Sequence, residues 1–421
     1  MDEPALAWLG IAALLCVAAA FTSLLRWAWP AGTAARSGFG CSILGGILAG
    51  IVLGPTILGR VLPAAYEGWV VGGTTERDER DRLMRTHGAD EIAAAQANLP
   101  AEQLKAMRDQ ANRDVEAAMR TWREAQWEHQ SAQRTIALSF AALVLLGGAA
   151  FTVRTGDRRQ SPLTALSVGA WAAALPAAAC AAAMTAWWEY AAPEAALVAA
   201  ACAIGPWALS EIDREAADSA EHGGARLIQT SGRIASVIAL ALALWGMWSQ
   251  RGVQGLWFWL PLAALPAGWG IASIGLARTA TAPHASFQLI TRGTIEFILT
   301  PALAALIAVR IELFDHFAIW PLIVILVVSD DGRWLGAFIG AMLLGRRKGL
   351  RTMRLVVGSM SAGLTQLAVT AVAAATWMIP HRLLMPLLLG SLLIEVTSRA
   401  RRHFAAELRR MDEEADPDQG S

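Results

Sequence analysis

Ser329-Asp330-Asp331-Gly332-Arg333 interrupts an apolar stretch that otherwise runs from Phe317 to Leu344. Twelve apolar residues precede it, ending at Val328, and eleven follow it from Trp334. Neither half reaches the roughly 17 residues a helix needs to cross the hydrocarbon of a bilayer, whereas the whole stretch extends about 42 Å at 1.5 Å per residue. The spacing predicts one long, broken or tilted span rather than two spans joined by a loop. Its three formal charges fall near the middle. Each costs roughly 2.5–3.5 kcal/mol at that depth on insertion scales, so they have to pair with one another or line a wet cavity. Charges at the break of a discontinuous span are what an ion-coupled transporter requires.

The rest of the composition agrees with a chain built for lipid. The 421 residues are 55% apolar with a mean hydropathy of +0.42, which predicts an all-α polytopic membrane protein with the bilayer as its first partner. With 35 basic and 35 acidic residues, no polybasic signature of a nucleic-acid partner is present. Cys16, Cys41, Cys180 and Cys202 lie in apolar stretches without zinc-site spacing and read as small core residues. The acidic start, Met1-Asp2-Glu3-Pro4, argues against a cleaved signal peptide, so the first apolar run is expected to remain as a span.

Apolar runs of spanning length number about eleven, at 5–26, 39–61, 135–153, 162–188, 193–210, 226–248, 255–277, 286–309, 317–345, 353–378 and 382–399. Arg26 and Arg36 follow the first run, Arg154, Arg158 and Arg159 the third, and Arg346, Arg347, Lys348, Arg351 and Arg354 the ninth. An alternating path puts these loops on one side, which the positive-inside rule makes cytoplasmic. That places the N-terminus outside and the C-terminus, a tail over 400–421, inside an inner or plasma membrane. Residues 1–66 then hold two spans and 135–399 the remaining membrane domain.

Between them, 67–134 is a charged insert on the outer side. Leu104, Met107, Ala111, Val115, Ala118 and Trp122 recur every three or four residues, and Asp109/Arg113 and Glu116/Arg120 are spaced as i,i+4 pairs. Gly88 and Pro100 punctuate the helical pattern. The expectation is a helical hairpin with a coiled-coil-like seam, its second arm running into the third span. It packs on itself or on a second subunit, or it serves as a sensor.

The second run reads Gly45-Gly46-Ile47-Leu48-Ala49-Gly50-Ile51-Val52-Leu53-Gly54-Pro55-Thr56-Ile57-Leu58-Gly59. It resembles the glycine-rich signature of the monovalent cation:proton antiporter superfamily. Further stretches resemble that family in the family's order: Leu145-Leu146-Gly147-Gly148 before a basic loop, Ala225-Arg226-Leu227-Ile228 at the sixth run, Gly275-Leu276-Ala277-Arg278 with Ile295-Glu296-Phe297-Ile298-Leu299-Thr300-Pro301, Gly332-Arg333 before Leu335-Gly336-Ala337-Phe338, and Val357-Gly358. The resemblance implies an inverted-repeat antiporter fold, with a dimerisation domain and a core of two crossed, broken helices. It also implies a homodimer that exchanges a monovalent cation for protons.

The sequence departs from the family where that chemistry is carried. The family's aspartates of the sixth span fall on Ala235 and Ser236, its later acid on Gln366, and that acid's basic neighbour on Leu364; only the intramembrane lysine keeps its sign, as Arg333. A proton antiporter needs a carboxylate whose pKa desolvation brings toward neutrality, and two adjacent ones oppose joint ionisation. Asp330 and Asp331 are the adjacent pair near mid-membrane, with Arg333 and Arg233 as intramembrane cations. If the sixth and ninth spans face one another, these four charges either cancel structurally or couple cation to proton; alternatively the two arginines hold an anion. Gln366, Thr365 and Ser361 offer neutral oxygen ligands, with helix–helix hydrogen bonding as their simpler use. Arg292 and Glu296 are expected at an interface, and Glu395 in a local pair with Arg399. No nucleotide loop, catalytic triad, haem or metal motif is seen, so neither enzymatic activity nor a cofactor is expected. The rival to transport is an inactive antiporter-like scaffold or sensor working through the 67–134 hairpin.

Overall fold

The computed structural model describes residues 3–29, 39–97, 100–150, 162–204, 222–249, 290–313, 319–343, 363–377 and 379–397, with short pieces between 260 and 267. Every described element is helical. We number them α1 (Glu3–Ala28), α2 (Gly40–Leu53), α3 (Thr74–Gln96), α4 (Ala101–His129), α5 (Ser131–Ala150), α6 (Pro162–Ala186), α7 (Ala192–Ala203) and α8 (His222–Ser249), followed by α9 (290–308), α10 (319–342), α11 (Gly363–Ala375) and α12 (381–397). Among the described residues, five helical segments are long and apolar enough to cross a membrane: Trp8–Ala28, Gly40–Val61, Ala165–Ala186, Ser231–Ser249 and Ile290–Ala308. The chain is thus an all-helical membrane protein. The expected span at 255–277 lies almost wholly outside the described residues.

The expected long span exists as α10, and it is widened rather than broken. Ile319–Leu326 passes through a π-helical turn, Val327–Gly332, directly into Arg333–Met342. By contrast, the helix of the expected span at 193–210 ends at Ala203, and 205–210 lie outside the described residues. Ile204 takes an extended conformation, φ −61° and ψ 131°, leaving α7 with 12 residues, about 18 Å. Cys16, expected in the core, is exposed on the flank of α1, while the other three cysteines are buried.

Two packing groups form the membrane part. In the first, α2 lies between α1 and α9. Its glycines make the approach possible: a Cβ on Gly46 would collide with the Pro301 carbonyl, and one on Gly50 would sit 2.8 Å from the Val309 nitrogen. The glycine-rich run therefore serves as a close-packing face. One end of this group is tied by Arg26, which pairs with Glu296, stacks 3.9 Å over the Phe297 ring and reaches Ser42 at 3.4 Å. Arg292 lies 3.9 Å from the same Glu296. In the second group, α6 is the centre, packed by α7, α8 and α10. Backbones again touch: a Cβ on Gly336 would strike the Trp171 carbonyl, Gly340 lies equally close to Ser167, and the Ser167 hydroxyl donates to the Gly340 carbonyl at 2.8 Å. Helix α11 joins the groups, touching α5, α9 and α7.

The insert is a two-helix hairpin, α3 against α4. The chain enters it through Gly72 and Gly73, at φ +72° and +64°, and a side chain on Gly72 would also overlap His129. Leu104, Ala111, Val115, Ala118 and Trp122 are partly buried along the expected seam, whereas Met107 stays exposed. Across it, Arg80 stacks on Trp122 at 4.4 Å, His87 meets Asp114 at 3.5 Å, and Arg108 reaches Glu91 at 2.6 Å. The two expected i,i+4 pairs do not form. Arg113 donates to Gln110 at 2.8 Å and Arg120 to the Glu116 backbone carbonyl at 3.4 Å, since cross-helix and local acceptors lie nearer than the intended carboxylates. A single residue, Gln130, separates α4 from α5, so the second arm runs almost unbroken into the next helix, as expected.

Replacing Gly336 with Val forces a side chain into the Trp171 backbone and should lower stability by about 1–3 kcal/mol. Gly293→Ala, where a Cβ meets nothing within 4 Å, should not. Thermal unfolding of both variants in one detergent checks the contrast.

Candidate functional site

The end of α7 lies in the interior. Residues Ala195 to Ile204 are all buried, an apolar, small-residue sequence that lets neighbouring helices close in on every side. Its extended Ile204 leaves carbonyls of the last turn without helical partners. One of them, Cys202, accepts a hydrogen bond from Arg333 Nη2 at 2.7 Å. Arg333 has no exposed surface and is the largest fully buried side chain among the described residues. The positive guanidinium thus faces the negative end of the helix dipole, roughly half an elementary charge. Around this contact, the buried Cys202 thiol meets Cys180 of α6 and Ser329 of α10.

The π turn of α10 stands at the same level. A Cβ on its Gly332 would sit 3.6 Å from Pro176, the proline inside α6. That proline removes one helical hydrogen bond from α6, so two neighbouring helices are irregular side by side, next to a third that ends. The turn separates the two carboxylates: Asp330 is half-buried and Asp331 exposed. They are not an equivalent pair in burial.

Arg233 of α8 is half-buried. Helices α8 and α10 both pack on α6, and Ile234, next to Arg233, touches the small cluster formed by Ala165, Val168, Ala172, Ala337 and Ala341. Gln366 of α11 is fully buried, with neither amide atom hydrogen-bonded. Gln366 therefore does not make the expected helix–helix hydrogen bond, and its amide nitrogen faces Gly390 of α12. Thr365 is buried beside it; Ser361 lies outside the described residues. Glu395, expected at a span end, is only 6% exposed and packs beside Gly363 where α12 crosses α11.

Two further residues were not singled out by sequence reasoning. Arg134, in the first turn of α5, is 7% exposed, and Arg310 lies just beyond α9. Arg310 Nη1 donates to the Ala374 carbonyl at the end of α11, 3.1 Å away. Beside it, the Tyr66 hydroxyl faces the Val309 carbonyl at 3.5 Å. Burial pushes Tyr66 up to about 12; the charge of Arg310 opposes the rise, and Glu312 and Glu67 add to it. Both arginines sit at span ends, where basic residues read as interfacial. The one available signal was that no acid stands within a helical turn of Arg134.

No protein-family model matches this chain, and no curated protein matches it.

Removing the Arg333 donor should expose the cost of the uncapped helix end. Arg333→Leu is expected to lose about 1.5–3 kcal/mol, the range for a hydrogen bond to a charged group, while Arg333→Lys keeps the charge and loses less; chemical denaturation in detergent measures both. For Tyr66, the unfolded phenol ionises near 10 and the folded one near 12. Its contribution should be complete below pH 10 and fall away as pH rises from about 10 to 12. Unfolding midpoints across that window should show a decline that Tyr66→Phe reduces.

Proposed function

We propose that this protein is a secondary transporter of the cation:proton antiporter type, exchanging a monovalent cation for protons across the membrane it spans. The observation that carries the reading is the meeting of three helix irregularities at one level: the end of α7 at Ile204, the π turn of α10 and Pro176 of α6. Terminal carbonyls and a carboxylate converging inside a helical bundle are the groups that replace a cation's water. Asp330 is the coupling residue of this reading. Ionised, it holds the cation beside the α7 carbonyl end; protonated, it releases it. Arg333 offsets the dipole of α7 when no cation is bound, so that the empty site does not trap a metal ion too tightly. Gln366 supplies a neutral oxygen on the neighbouring helix.

The packing supports an inverted repeat in the same sense. α6-α7-α8 and α10-α11-α12 each place a buried helix, α7 or α11, in the middle, and α7 touches α11. In this reading the first packing group forms the homodimer contact, the hairpin projects outside the cytoplasm, and the C-terminus lies inside.

The test is proton flux in proteoliposomes on adding sodium, potassium or lithium. The unaltered protein should dissipate a pH gradient in response to one of these ions. Asp330→Asn should abolish the response, and the exposed Asp331→Asn should retain most of it. Loss in Glu395→Gln with retention in Asp330→Asn would move the coupling group to the α11/α12 crossing. If no cation moves protons through the unaltered protein, antiport is wrong, and the hairpin becomes the working part.

A further inference from the structure

We infer that the junction of the hairpin base with the ends of α9 and α11 is a binding site for a small monovalent anion of chloride size, held by Arg134, Arg310 and Trp377. The three residues come from three elements and are joined by a series of contacts. The Arg134 guanidinium stacks 3.2 Å from the centroid of the Trp127 ring, and its Nη2 donates to the Trp127 carbonyl at 2.6 Å. Trp127 meets Trp377 edge-on, with ring centroids 5.5 Å apart. The Trp377 backbone N–H donates to Ala374, whose carbonyl also receives Arg310.

Along this series three N–H donors are buried with no hydrogen-bond partner: Arg134 Nη1, Arg310 Nε and Trp377 Nε1. Nor does a carboxylate answer the two positive charges, since neither arginine forms an ion pair among the described residues. The nearby acids are committed elsewhere, Glu312 to Arg60 at 3.0 Å and Glu67 to Arg77. The two guanidiniums are close enough for the charge of Arg310 to act against that of Arg134. Burying like charges together without a counter-charge is strongly unfavourable. A water molecule would satisfy donors but leave the repulsion; an anion satisfies both. Three free N–H groups suit a monoanion, whereas a phosphate or sulfate would bring more acceptor oxygens than there are donors.

The site does not depend on whether the protein transports cations. It is tested by the thermal unfolding midpoint of the full chain in neutral detergent, with sodium HEPES replaced stepwise by sodium chloride at constant ionic strength. The expected result is a saturable rise that sodium sulfate does not reproduce. Arg134→Gln and Arg310→Gln should each raise the half-saturating chloride concentration about tenfold or more, the loss of one charge-assisted donor. Should either variant fail to fold, chloride-35 line broadening by the unaltered protein, displaced by bromide, decides the matter. An unaltered protein with neither chloride-dependent stability nor displaceable broadening overturns the proposal, as do folded variants that keep the full response. A rise produced by phosphatidylglycerol in nanodiscs, and not by chloride, overturns the free anion in favour of a lipid phosphate.

Discussion

A guanidinium with no exposed surface constrains everything within its reach. Arg333 cannot be neutralised by losing its proton, so the fold has to bring polar groups to it. One such group is the Cys202 carbonyl at the end of α7, and satisfying that bond places the π turn of α10 against a helix terminus. The same demand draws α6 in. α10 can come close enough only because Gly336 and Gly340 let its backbone rest on α6, and the turn faces Pro176, where α6 has already given up a hydrogen bond. The irregularities of three helices thus meet where one charge is housed.

Much of this was legible in advance because hydropathy and length act locally. The Phe317–Leu344 stretch had to be one helix, since neither half could cross a membrane alone, and the seam of the hairpin followed from its three- and four-residue spacing. The early end of α7 was missed although the run carries a turn signal, Gly205-Pro206, directly after Ile204; apolar residues on both sides outweighed it. The inequality of Asp330 and Asp331 could not be read at all. Adjacent residues on a helix point about 100° apart, and which one faces inward depends on the extra residue per turn that a π-helical turn inserts.

Pairings between distant elements were the least legible. Arg26 with Glu296 joins residues 270 apart in sequence, and nothing local marks the match. The expected pairs Asp109/Arg113 and Glu116/Arg120 fail for the complementary reason. Exposed i,i+4 pairs are worth only about 0.2–0.5 kcal/mol, so any nearer acceptor displaces them. Arg134 and Arg310 show both effects, since each looks like an ordinary membrane-interface cation until packing brings the two together.

The buried helices α7 and α11 are held by the same device with different reach. Arg333 links the end of α7 to α10, inside the group centred on α6, whereas Arg310 links the end of α11 to α9, in the group built on the α2 glycines. The first contact stiffens one group; the second ties the groups to each other. The hairpin enters at that second contact, because Trp127 at its base packs on Trp377, one turn beyond Ala374. Any displacement of α11 from the α2 group must therefore stretch the Arg310–Ala374 bond or shear the two tryptophans. The base of the hairpin is consequently placed where it can feel or resist such a movement.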